Sequence, residues 1–226
     1  KTLRIAEMSK LLENIYRSIN IALINELKIA TTKLDIDIYD VIKIASTKPF
    51  GFQKFFPGPG TGGHCIPIDP IYFSWLSKKK GVNVKFIELS SKINQIRTKW
   101  IIKKLKTIAK KISSPKILLL GLSYKKNIED TRESASIKIL EDLLKQKYAI
   151  DYSDPFNQKI VLNYRKKRKV LFSKKFSKNV VKKYNLIIIA TDHDKFDYSL
   201  LKSSNKTIVD LRGKFKNIKS RYIYQL

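Results

Sequence analysis

The apolar residues Ile5, Met8, Leu11, Leu12, Ile15, Ile19, Leu23 and Leu27 recur at spacings of three to four through a stretch that holds neither proline nor glycine. That period predicts one long amphipathic helix over 5–30. A second series, Phe86, Leu89, Ile93, Ile96, Trp100, Ile101, Leu105, Ile108 and Ile112, predicts another, with shorter helices over 36–46 and through Trp75 to Lys79. The second series stops at Ser113-Ser114-Pro115, and beyond it the pattern changes. Short apolar runs at 116–120, 149–152, 186–190 and 207–211 read as buried strands, and 134–146 and 198–202 read as helices. Strands alternating with helices imply an α/β fold with a mostly parallel sheet covered on both faces. The chain therefore divides into a helical unit, 1–114, and an α/β unit, 115–226.

With 43% hydrophobic residues in 226, the chain can build a packed core. A single cysteine excludes an internal disulfide and fits a reducing cytoplasm. Cys65, His64 and the distant His193 make a poor zinc set, so no metal is expected. No apolar run approaches the ~20 residues that span a bilayer, and no signal-peptide core is present, so a soluble cytoplasmic protein is expected. The net charge of +28 raises the question of nucleic acid. Lysines are spread along the whole chain and the aromatics do not interleave with the basic runs, which argues against specific recognition. The densest run, Arg165-Lys166-Lys167-Arg168-Lys169, reads as a solvated loop.

The segment Gly58-Pro59-Gly60-Thr61-Gly62-Gly63-His64-Cys65-Ile66-Pro67-Ile68-Asp69-Pro70 places that lone cysteine directly after the glycines and four residues before an aspartate. Glycines allow close backbone approach, and a thiol at the following helix start sits at the positive end of the helix dipole, where the nucleophilic thiolate is favoured. Two readings stay open from the residues alone: a covalent nucleophile, or a small buried hydrophobe in a turn. The letters Gly58-x-Gly60-x-x-Gly63 match the dinucleotide fingerprint but follow Pro49–Pro57, a stretch with no strand pattern, and are read as a decoy.

In open α/β sheets, ligands bind beyond the carboxyl ends of the strands. The segment after the first strand, Gly121 to Ser134, is thus a second candidate. Lacking further glycines, it could hold phosphates through the side chains of Lys125 and Arg132, or it could be a solvated connection.

Together these motifs resemble the UDP-glucose/GDP-mannose dehydrogenases. The residues that carry the resemblance are the glycine-cysteine loop with Cys65 and Asp69, Gly121-Leu122-Ser123-Tyr124-Lys125 with Asp130-Thr131-Arg132-Glu133-Ser134, Ala6-Glu7-x-x-Lys10-x-x-x-Asn14, and Ala190-Thr191-Asp192-His193-Asp194. The form Gly-Gly-His-Cys-Ile-Pro-Ile-Asp-Pro is most similar to members that oxidise UDP-N-acetylglucosamine or UDP-N-acetylmannosamine. The resemblance implies a central dimerisation domain followed by a Rossmann-like UDP-sugar domain. It also implies NAD-dependent, four-electron oxidation of a UDP-(N-acetyl)hexose at C6 to the uronic acid, in the supply of polysaccharide precursors.

By the same resemblance, Cys65 is the thiolate that passes through a thiohemiacetal and a thioester. Lys10 and Asn14 stabilise the oxyanion, and Asp69 serves the hydrolytic water. Gly58, Gly60, Gly62, Gly63, Lys125 and Arg212 contact the UDP-sugar, Arg132 reaches the cofactor phosphates, and the assembly is a homodimer. Gly213-Lys214 after Arg212 departs from the usual asparagine, which weakens that transfer. The family's N-terminal Rossmann domain, with its dinucleotide fingerprint, is absent from this chain, so only partial cofactor binding is expected of it. Two other readings remain: a dimerising module that binds UDP-sugars without oxidising them, and a basic nucleic-acid-binding protein, for which no reading element is present.

Overall fold

The computed structural model describes residues 2–164, 167–202, 204–218 and 220–226. Four helices come first: α1 (Leu3–Lys33), α2 (Ile38–Ala45), α3 (Cys65–Lys79) and α4 (Lys85–Ala109). Asp37 caps α2 by accepting the Tyr39 N–H at 2.8 Å. α4 ends ahead of Ser114, whose φ of 48° is left-handed, and Pro115 follows. Then come β1 (Lys116–Leu120), α5 (Ala135–Lys145), β2 (Ala149–Ser153), β3 (Lys159–Tyr164), β4 (Lys167–Phe172), α6 (Lys178–Val181), β5 (Leu186–Ile189), α7 (Ser199–Lys202), β6 (Thr207–Asp210) and β7 (Ile223–Gln225).

The main sheet has the order β2-β1-β5-β6-β7, and every pairing in it is parallel. Successive side chains of β1 point to opposite faces. Ile117 and Leu119 join a core with Ile101, Leu105 and Ile108 of α4 and Ile139 and Leu143 of α5. Leu118 and Leu120 face the other layer, with Val181, Leu201 and Phe215. The sheet is thus covered on both sides, and α4 belongs at once to the helical part and to the sheet's core.

β3 and β4 form a separate antiparallel hairpin, and this corrects the reading of the basic run as a loop. Lys167, Arg168 and Lys169 begin β4, while Arg165 and Lys166 lie outside the described residues. Alternation explains the strand: Ile160 and Leu162 turn into the core, and Val161 and Val170 pair on the exposed face. In a lysine-rich strand the outward charges mask that period.

The apolar stripes that announce α1 and α4 are only partly buried: Ile15 of α1 and Ile101, Leu105 and Ile108 of α4 turn inward, and much of the rest does not. Ile5, Met8, Leu12, Leu23 and Leu27 of α1 are exposed, as are Phe86, Leu89 and Ile96 of α4. The inward faces carry Asn14, Ser18, Ala22 and Asn25 on α1 and Ser90, Asn94, Arg97 and Thr98 on α4. These polar groups satisfy one another: Asn25 Nδ2 donates to Asn94 Oδ1 at 3.0 Å, and Asn94 Nδ2 donates to the Ser18 carbonyl at 3.4 Å.

Because Leu105 is fully buried where α4 meets β1 and α5, Leu105→Ala is expected to lower stability by about 2–5 kcal/mol. Urea unfolding followed by circular dichroism measures this. A loss below about 1 kcal/mol would show that α4 does not hold the two parts together.

Candidate functional site

Cys65 is the first residue of α3 and is exposed, which removes the reading of it as a buried hydrophobe. Its helix starts where Gly63, at φ 83°, turns the chain. Asp69 lies one turn further along α3. α1 packs against α3, and Asn14, itself buried, donates from Nδ2 to Asp69 Oδ2 at 2.7 Å. Oδ1 of Asn14 accepts from Arg17 Nη2. Lys10, one turn before Asn14 on α1, is exposed and paired with Glu13 at 3.3 Å. Asn14 and Asp69 are therefore in contact, with Cys65 and Lys10 each one helical turn from one of them.

The glycine segment is an extended strap held from both sides. On the helical side, Asn25 Oδ1 accepts the Gly58 N–H at 3.0 Å, Arg97 Nε donates to the Gly58 carbonyl at 3.0 Å, and Thr98 Oγ1 donates to the Pro59 carbonyl at 2.8 Å. On the sheet side, the Gly63 N–H donates to the Arg132 carbonyl at 2.9 Å. A Cβ on Gly60 would stand 2.5 Å from Thr98 Oγ1, and one on Gly62 2.5 Å from Tyr124 Cβ. Gly58 faces the Arg212 guanidinium in the same way, and Gly63 faces the Tyr124 ring. Glycine is required here for close packing against the chain itself.

Arg97 is completely buried, and desolvation lowers its pKa to about 10 against the opposing influence of Tyr39. Its Nη1 and Nη2 have no hydrogen-bond partner among the described residues. Lys28 is also buried, and its pKa is lowered by desolvation and then by Arg97. The Gly58 peptide thus rests on the buried cation Arg97, whose charge also reaches Lys28.

The remaining candidates sit at the carboxyl ends of the strands. Lys125 is exposed in the loop after β1. Arg132 is exposed as well and forks onto Asp130, at 2.6 Å from Nη2 to Oδ2. Arg212 follows β6, where its Nε donates to the Ala190 carbonyl at 2.8 Å and its Nη2 to the Tyr124 carbonyl at 3.3 Å. Burial lowers its pKa, with Asp192 opposing most strongly. The strap links these residues to the Cys65 helix: Tyr124 lies over Gly62 and Gly63, and the Gly63 N–H is bonded to the Arg132 carbonyl.

For a dinucleotide, the described residues present no open backbone cradle. Gly58, Gly60 and Gly63 are filled by the chain's own side chains, no strand precedes them, and a Cβ on Gly121 would lie 2.3 Å from the Thr191 carbonyl oxygen. Arg132 fits a phosphate through its exposed guanidinium only.

Sequence reasoning missed Asn25, Arg97, Thr98, Tyr124 and Asp154. The available signal was polar residues recurring at helical spacing opposite the apolar stripes, namely Ser90, Asn94, Arg97 and Thr98. Asp154 is buried after β2 and accepts the Leu122 N–H at 2.6 Å and the Phe156 N–H at 2.8 Å. Burial raises its pKa, but hydrogen bonds from His193 and from the backbone of Leu122, Phe156 and Asn157 outweigh this and bring it to about 2.

The description "UDP-glucose/GDP-mannose dehydrogenase family, central domain" matches residues 4–96, and the "UDP binding domain" of the same family matches residues 118–217. The chain belongs to this family. It is 35% identical over 220 residues to the UDP-N-acetyl-D-mannosamine dehydrogenase of Methanococcus vannielii, covering 92% of this chain and 48% of that protein. Among solved structures, the UDP-N-acetyl-mannosamine dehydrogenase Cap5O of Staphylococcus aureus is 31% identical with a TM-score of 0.76, over 99% of this chain and 51% of that one. The UDP-D-ManNAc dehydrogenase of Pyrococcus horikoshii is 29% identical, also with a TM-score of 0.76, over 97% and 51%. The chain spans about half the length of these relatives.

Asp154 has a folded-state pKa of about 2 against 3.8 for a free aspartate, so it stabilises the fold by about 2 kcal/mol above pH ~4. That contribution is lost as the pH falls toward 2. The stability difference between wild type and Asp154→Asn, measured by urea unfolding, should shrink across that window, and a constant difference from pH 6 to 2.5 would refute the assignment.

Proposed function

We propose that this chain supplies the thiol site and the nucleotide-sugar site of a UDP-(N-acetyl)hexose 6-dehydrogenase, with 1–114 and 115–226 as its working units. The observation that carries the reading is an exposed Cys65 opening α3, with Asp69 one turn along and bonded to Asn14 of α1, in a chain of this family. UDP-N-acetylmannosamine is the substrate favoured by the names of its relatives.

NAD, when bound, accepts the hydrides released in the two oxidations at C6. The chain's own residues do the rest. The Cys65 thiolate adds to the C6 aldehyde, forming a C–S bond and a thiohemiacetal whose alkoxide takes up a proton. Loss of the C6 hydride and of the hydroxyl proton gives the thioester, and water then breaks the C–S bond, releasing carboxylate and a proton and regenerating the thiol. Lys10 and Asn14 are assigned to the oxygen that bears developing charge, and Asp69 to orienting the water, because Asn14 meets Asp69 across the helices and Lys10 precedes Asn14 by one turn of α1. Lys125 and Arg212 neutralise the diphosphate, the glycine strap shapes the sugar pocket, and Arg132 meets a cofactor phosphate.

Calorimetry should show UDP binding to the chain that weakens with salt, and Lys125→Ala should weaken it about tenfold. Cys65→Ser should leave that affinity within about twofold, yet lower NADH formation at least about a thousandfold when an NAD-binding Rossmann unit is supplied. Near wild-type turnover by Cys65→Ser would refute the nucleophile. UDP binding with no oxidation by the wild-type protein under those conditions would favour the alternative, a dimerising module that binds UDP-sugars.

The outward stripe of Leu12, Leu23 and Leu27 on α1 supports a homodimer, because so continuous an apolar face is costly to leave in water. Sedimentation should give a dimer at micromolar concentration, and Leu23→Glu with Leu27→Glu should give monomers. A stable wild-type monomer would count against it.

A further inference from the structure

One buried pair ties together the loops that leave three adjacent strands, β2, β1 and β5. His193, after β5, is fully buried. Its Nδ1 accepts the Asn127 N–H at 2.9 Å, and its Nε2 lies 3.2 Å from Oδ2 of Asp154, after β2. An N–H aimed at Nδ1 requires a lone pair there, and an ionised carboxylate at Nε2 requires a proton, so the contacts define a neutral ring protonated on Nε2. Phe156 and Phe196 pack on the ring, with centroids 5.0 and 5.8 Å away.

Asn127 is held at every polar group it offers to this loop. Its φ of 62° is left-handed, its Oδ1 accepts the Asp194 N–H at 3.0 Å, and its Nδ2 donates to the Asp194 carboxylate. Lys126 is engaged by the same carboxylate at 3.3 Å. Lys125, two residues before Asn127, is exposed and makes no hydrogen bond or ion pair among the described residues.

We propose that His193 is a positioning residue for Lys125. As a neutral acceptor it clamps Asn127, so the β1 loop presents the Lys125 ammonium unpaired and in place for the diphosphate of a nucleotide ligand. The imidazole itself touches no ligand. The effect is pre-organisation: the loop is ordered before binding, and that ordering is not charged against affinity. The inference rests on the reading of Lys125 as a nucleotide contact.

The test is calorimetry with UDP on wild type, Lys125→Ala, His193→Phe, His193→Asn and the double variant Lys125→Ala/His193→Phe. Lys125→Ala is expected to weaken binding about tenfold, and His193→Phe, which keeps a ring but has no acceptor, by a similar factor. The double variant should bind no more weakly than either single one. His193→Asn, whose Oδ1 takes the place of Nδ1, should recover affinity to within about threefold of wild type. Additive losses, or wild-type affinity in His193→Phe, overturn the inference while leaving the nucleotide contact standing. Wild-type affinity in Lys125→Ala overturns the contact and the inference with it. Independently of any variant, the ring nitrogen shifts of His193 in the ¹⁵N-labelled wild-type chain should report the neutral Nε2-protonated form, and an Nδ1-protonated ring overturns the inference.

Discussion

The grip of α1 and α4 on the Gly58 peptide is the interaction on which the arrangement depends. Asn25 takes its N–H, Arg97 its neighbouring carbonyl, and Thr98 the carbonyl of Pro59. A backbone segment without helix or strand must have its polar groups satisfied when buried, and here two helices do so. That determines where the strap runs, and the strap determines where α3 begins and thus where Cys65 stands. From the other side Tyr124, Arg132 and Arg212 close on the same segment, so the thiol and the loops at the sheet's end share one support. Removing a strap glycine would force Thr98 or Tyr124 to move, which disturbs both groups at once.

This support has an energetic consequence. Arg97 and Lys28 are positive and buried, desolvation depresses the proton affinity of both and Arg97 depresses that of Lys28 further, with no carboxylate bonded to either among the described residues. Such an arrangement is expensive in an apolar interior, and it persists because the Gly58 carbonyl and the rings of Trp100 and Tyr39 lie against the two cations. The helical part therefore keeps a polar cluster inside, beside Ile15, Ile24 and Ile87, while Leu12, Leu23 and Leu27 stay outside.

Much of the fold was legible in the residues. The four long or medium helices and the strands β1, β2, β5 and β6 follow from periodicity, since apolar spacing survives even a lysine-rich composition. Ser113-Ser114-Pro115 marks the change from helices to sheet because proline cannot continue a helix. The β3–β4 hairpin was not legible: its outward positions are occupied by lysine, arginine and valine alike, so alternation is visible only once Ile160 and Leu162 are seen to face the core. The three-residue β7 is too short to carry a period of its own.

The sequence by itself determined the chemical inventory: a single thiol after glycines, an aspartate one turn on, a lysine and an asparagine at helical spacing, and cations after buried strands. It determined as well that Gly58-x-Gly60-x-x-Gly63 follows no strand. Only the tertiary structure decided which of these groups meet. Asn14 reaches Asp69 across 55 positions because α1 packs on α3, and His193 reaches Asn127 across 66 because β1 and β5 are neighbours in a parallel sheet. Spacing along a chain reports which side chains share a helix turn or a strand face. Contacts between elements depend on how their buried faces fit, and where α1 meets α4 those faces carry polar residues that no hydrophobic pattern marks.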